Sequence, residues 1–132
     1  MANPFQQIIT QDAEINRIQG NISASLNQSA SLTVSTVNSA NFTITQLPGL
    51  LVVPTTSIAS TVNIYLPDAL KLAGQSFNFK KTDTSSNAIV FSATAKNKQG
   101  KTQTVENATT YSVTASLAYG RLMSDGNNWW VV

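Results

Sequence analysis

Six carboxylates, eight cations and many hydroxyls are the side chains from which this 132-residue chain could build a reactive site. It has no Cys and no His. Zinc sites draw mainly on nitrogen and sulfur ligands, so a zinc centre is not expected, and disulfide staples are excluded. A serine nucleophile normally takes its base from His. A lysine base would come with a box such as S-x-x-K, and neither that box nor a G-x-S-x-G elbow occurs. No phosphate or dinucleotide loop is present. The carboxylates do not gather along the chain. Asp12 and Glu14 are two apart and would lie on different helix faces. Asp68, Asp83 and Asp125 sit in turns or beside Pro or Gly, where Asp bonds the local backbone. Glycoside hydrolysis needs two facing carboxyls, and no spacing supplies them. The expectation is a protein that is not an enzyme and that uses no cofactor and no metal.

Charge and aromatics carry what remains. The net charge is +2, from eight Lys and Arg against six Asp and Glu. Lys96, Lys98 and Lys101 cluster, and Lys80 and Lys81 are adjacent. A nucleic-acid footprint requires a denser basic stripe interleaved with aromatics, so no nucleic-acid partner is expected. No run approaches the roughly 20 apolar residues of a membrane helix, and no membrane partner is expected. Trp129 and Trp130 are neighbours, which in a strand sends them to opposite faces. One enters the core. The other, Trp130, is a candidate for surface recognition or for cover by another subunit. Tyr119 joins it as a candidate recognition or interface residue, and the polar loop Lys96 to Lys101 is a further candidate for recognition.

The elements that must position these residues fall into two regions. Over the first 26 residues Ile8, Ile15, Ile18 and Ile22 are spaced 7, 3 and 4 apart, the seam of a short heptad helix. Pro4 suits its start, and Asp12 and Glu14 suit its N-terminal half. So short a helix needs oligomeric or tertiary packing, and Ile at both seam positions favours three or more strands in a coiled coil. The same spacing also fits an amphipathic helix packed on its own domain. Residues 1–40 are thus expected to form a helical or extended oligomerisation and docking segment.

From residue 41 to residue 132 the period changes to two. Phe42 and Ile44, then Val62, Ile64 and Leu66, then Phe77 and Phe79 alternate with polar residues. Ala88 to Thr94 is a strong strand, with weaker ones at Thr102 to Val105 and Tyr111 to Ala115. Leu47-Pro48-Gly49 reads as a turn. Asp125-Gly126 between two strand-like runs signals a hairpin. Only 11% of residues are charged, against about 25% in a typical soluble domain. Ser, Thr, Asn and Gln fill 53 of the 132 positions. The fold class expected is mainly β: an antiparallel β-sandwich or barrel-like body preceded by a short helix.

The second half carries a pattern. It runs from Leu66-Pro67-Asp68-Ala69 through Ala73-Gly74-Gln75-Ser76-Phe77 to Lys81-Thr82-Asp83-Thr84-Ser85-Ser86-Asn87. It continues with Ala108-Thr109-Thr110-Tyr111. It ends at Ser124-Asp125-Gly126-Asn127-Asn128-Trp129-Trp130-Val131-Val132. The pattern resembles a small β-module of bacteriophage structural proteins, found in head fibres, tail fibres and other virion appendages. The usual ending of that family looks like Ser-Asp-Gly-Thr-Asn-Trp, an aromatic and two aliphatics; here Asn127 replaces the Thr. The resemblance implies a β-sandwich-like body, homotrimeric assembly and a place on the virion surface. It implies no catalytic residues.

A short chain that starts with Met is expected to be a complete small gene product. The expected role is a viral structural protein: a trimeric head fibre or spike, or a capsid decoration protein, with other capsid or tail proteins as partners. Ile8, Ile15, Ile18 and Ile22 would trimerise or dock it. The alternative is a tail receptor-binding protein that recognises a host-surface glycan through Trp130 or Tyr119.

Overall fold

The computed structural model describes residues 33–132. The seam residues Ile8, Ile15, Ile18 and Ile22, and with them the expected helix, lie outside the described residues. The described chain is mainly β. Its strands are β1 (Val34–Thr36), β2 (Asn41–Thr43), β3 (Leu50–Val53), β4 (Thr61–Leu66), β5 (Ser76–Lys81), β6 (Ala88–Ala93), β7 (Thr110–Val113), β8 (Tyr119–Ser124) and β9 (Trp129–Val131). They form a five-stranded sheet in the order β1-β3-β5-β8-β9 and a four-stranded sheet in the order β2-β4-β6-β7.

The expected antiparallel pairing is corrected by the register. Strands β1 to β6 alternate between the two sheets, and within each sheet they pair in parallel. The chain winds as a coil, and each parallel return is made through a strand of the opposite sheet. Parallel neighbours need such a long connection, usually a helix. Only β7, β8 and β9 add antiparallel pairs. Both sheets are therefore mixed or parallel-led. Alternation of apolar and polar residues is the same for either direction of pairing, so the period of the sequence could not distinguish them.

Alternation does place the core. In β4, β5 and β6 every second residue is buried. Phe91 lies between Phe79 at 4.9 Å and Phe77 at 6.3 Å, and Trp129 meets Phe77 edge-on at 6.1 Å. Such tilted pairs each add about 0.5–1.5 kcal/mol beyond burial. Gly120 is opposite Phe79 across the ladder; a Cβ there would stand 2.9 Å from the Phe79 ring, so the ring occupies the space a side chain would take. The run Leu50–Val53 following the Pro48-Gly49 turn is strand β3. On the N-terminal side of residue 41, β1 pairs with β3, and Val37 enters the core. The stretch Thr102 to Val105, read from sequence as a strand, makes only isolated bridges, to Lys96, Ala108 and Trp129.

Candidate recognition face

The motif residues first account for themselves as staples. The Trp129 indole N–H donates to the Pro67 carbonyl at 3.2 Å, and the Ser124 hydroxyl donates to the Ala69 carbonyl at 2.7 Å. Buried Gln103 accepts from the Ala69 N–H at 2.9 Å and donates to Asp68 at 2.7 Å. Asp68 also accepts from the Leu70 N–H at 3.0 Å. The bond from Gln103, then that from Leu70, holds the Asp68 carboxyl below its ordinary range. Asn127 and Asn128 accept from the backbone N–H groups of Lys98 and Thr104. The two ends of the sequence pattern thereby form a single stitched unit, in which polar side chains tie loops that no regular ladder reaches.

A second staple is buried. Lys81 ends β5 at an inward position and is fully inaccessible. Its ammonium lies 3.2 Å from Asp83 and donates to the Ser85 carbonyl. Asp83 accepts from the Thr55 hydroxyl at 2.7 Å, the Thr56 N–H at 3.2 Å and the Ser85 N–H at 3.0 Å. Burial pushes the Asp83 carboxyl up, but the bonds from Ser85, Thr55, Thr56 and Lys81 outweigh it and hold the group well below the usual carboxylate range. The Asp residues that the sequence placed in turns thus bind local backbone. No group of three or more metal-ligating side chains occurs among the described residues.

What remains for recognition points outward. The outer face of the five-stranded sheet has twelve outward positions in three cross-strand rows. One runs Val34, Leu50, Asn78, Arg121 and Val132. The next runs Thr36, Val52, Lys80 and Tyr119. The third runs Ser76, Met123 and Trp130. Seven of the twelve are apolar or aromatic. Tyr119 is 82% exposed, while Trp129, one position before Trp130, is 0% exposed. The structure thus brings the two sequence candidates, Tyr119 and Trp130, onto one face.

Polar groups mark the two ends of that face. Lys80 donates to the Leu117 carbonyl and sits 5.5 Å over the Tyr119 ring, a cation–π contact. Arg121 is exposed, with no counter-ion among the described residues. At the other end the Trp130 indole N–H donates to Asp125 at 2.7 Å. The second Asp125 oxygen accepts from the N–H groups of Asn127 and Asn128 at 2.8 and 2.7 Å. Burial raises the Asp125 carboxyl, and these bonds more than reverse it, so the group stays ionised below its ordinary range. At the Lys80 end is an open groove of about 420 Å³ beside Tyr119, floored by Phe79 and Gly120 and bordered by Asn78 and Arg121.

Sequence reading did not mark Arg121, Met123, Leu50, Val52 or Val132. The signal available for the first two was the alternation Tyr119, Arg121, Met123 along one strand. The loop at Lys96 to Lys101, expected as a recognition loop, is stapled to the hairpin: Asn127 donates to Gln99 and accepts from the Lys98 N–H. Comparison with family models, with curated proteins and with solved structures found no match.

Proposed function

We propose that the chain is a structural protein of a bacteriophage particle: a homotrimeric head fibre, spike or capsid decoration protein on the virion surface. One observation carries this reading. The residues that resemble the appendage module are those the body spends on its own stitching, from Pro67 and Asp68 to Ser124 and Trp129. Titratable motif groups are thereby engaged in holding loops, and the outward surface offers binding in place of chemistry. An apolar outer sheet face with Tyr, Trp, Met and Arg has the composition of protein interfaces. Low charge supports the same reading, because few ions need to be desolvated when copies pack.

The test is the mass of the full chain in solution, by light scattering at several concentrations. A stable mass three times 14.1 kDa is expected. A monomer throughout would overturn the trimeric reading. A second reading, a tail receptor-binding protein, is favoured by the groove beside Tyr119, which is where a host-surface glycan would sit. Glycan-array binding lost on Tyr119→Ala would select it.

A further inference from the structure

The outer face of the five-stranded sheet carries aromatic, aliphatic and cationic side chains together, with a carboxylate at one edge. The geometry points to this face as the contact between copies of the chain in the assembled protein. The inference rests on the homo-oligomeric reading above and adds the surface by which the β-bodies meet.

Three observations carry it. First, composition: Tyr119, Trp130, Met123 and Arg121 share one face, and these four residue types are enriched at protein interfaces. Tyr, Trp and Arg are also the side chains that dominate binding energy there. Second, charge: Lys80 stands at one end beside Tyr119, Arg121 stands in the middle row, and the Asp125 carboxylate, which accepts from the Trp130 indole, stands at the other end. The Arg121 guanidinium has no counter-ion within the described residues of its own chain. When copies meet head-to-tail on this face, the heterologous contact that a closed trimer requires, the cations of one approach Asp125 of the next. The face is thus its own complement, which a neutral or purely cationic patch would not be. Third, size: strands about 4.8 Å apart, with the central ones up to six residues long, give a plan area of ~400 Å². By plan area the face alone supplies about half of the ~800 Å² per partner of a standard interface. A small glycan would cover only the groove at one end and leave Val34, Met123 and Trp130 in water.

The outer face of the four-stranded sheet supplies the control. Ser112 is outward on β7, on a face whose strand positions carry no charge.

The experiment uses the full chain and three variants, Tyr119→Glu, Arg121→Glu and Ser112→Glu, with light scattering over a wide concentration range and a thermal melt of each. Tyr119 is 82% exposed and Arg121 is exposed, so neither change touches the core. The expected result is a multimeric wild type and Ser112→Glu. Tyr119→Glu and Arg121→Glu should raise the dissociation constant by tenfold or more, with native melts at dilution. If both variants keep the wild-type mass, the face is not the contact, and the oligomeric reading survives with its interface elsewhere. If the wild type is monomeric throughout, both the trimeric reading and this inference fail. A monomer that binds a glycan array through Tyr119 would give the face to the receptor-binding reading and overturn the inference.

Discussion

The two outer faces of this body are built over one core by the same alternation, and they differ in what the outward positions hold. On the four-stranded sheet the rows are Asn41, Asn63, Val90 and Ser112; Thr43, Tyr65, Ser92 and Thr110; and Thr61 with Ala88. Seven of these ten are Asn, Ser or Thr, and none is charged. On the five-stranded sheet seven of twelve are apolar or aromatic. Water satisfies the first face without help. The second presents two groups of apolar side chains, on β1 and β3 and on β8 and β9, either side of Ser76, Asn78 and Lys80 on β5. The same fold thus carries two faces of different composition, and it is the side chains, not the fold, that set them apart.

The largest test of that division sets the adjacent tryptophans against each other. Trp129 is 0% exposed and packs on Phe77. Trp129→Ala should lower stability by about 3–5 kcal/mol, seen as a large drop in the denaturation midpoint. Trp130 lies on the outer face, and Trp130→Ala should cost under about 1 kcal/mol in dilute monomer. Equal losses would mean that both rings belong to the core.

The next effect tests the buried staple beneath both faces. Asp83→Asn leaves the Lys81 ammonium fully buried without its counter-charge, and a loss of about 3 kcal/mol is expected. The same group sets an acid limit. Its folded pKa is depressed from the ordinary 3.8. It therefore contributes stability that is fully present above that value and is lost as pH falls below it. Melts between neutral pH and strong acid should show wild-type stability falling in that range, with a shallower fall in Asp83→Asn.

Much of this was legible in the sequence and some was not, for physical reasons. The strands at Val62 to Leu66 and Phe77 to Lys80 announce themselves by period two, and that at Ala88 to Ala93 by its run of Ile89, Val90 and Phe91. The hairpin at Asp125-Gly126 announces itself by turn chemistry: Gly126 adopts φ 86°, and the Asp125 N–H donates to the Asn128 carbonyl at 3.1 Å. The opposed fates of Trp129 and Trp130 follow from alternation alone. The parallel coil does not, because strand direction leaves no mark on the period. Strand β1 was hidden by its three-residue length and polar flanks. The recognition face was half legible: Tyr119 and Trp130 stand out by type, but Leu50 and Val52 join them only through pairing across β5 and β8, which no local pattern encodes.

A smaller effect probes the boundary of the apolar face. Asp125 holds the Trp130 indole and two turn N–H groups at once. Asp125→Ala removes all three acceptor contacts from a solvent-accessible turn, where water replaces part of them. A loss of about 1–2 kcal/mol is expected. Trp130 fluorescence should shift to the red as its indole loses the carboxylate and gains water. A stability loss with unchanged emission would show that the carboxylate secures the turn without orienting the ring.

The smallest effect lies on the polar face. Asn63 donates to Asn41 at 3.2 Å across the parallel pair of β2 and β4. The bond is exposed, so the gain over water is slight. Asn41 is also on β2, the three-residue edge strand of its sheet. Asn41→Ala should cost about 0.5 kcal/mol, with no change in oligomeric mass. The unchanged mass is the informative half. Two faces of equal importance to assembly would both respond when their most regular contact is cut. If Asn41→Ala dissociates the protein while Tyr119→Glu does not, the roles of the two faces are reversed, and the uncharged amide surface is what copies of this chain use to recognise one another.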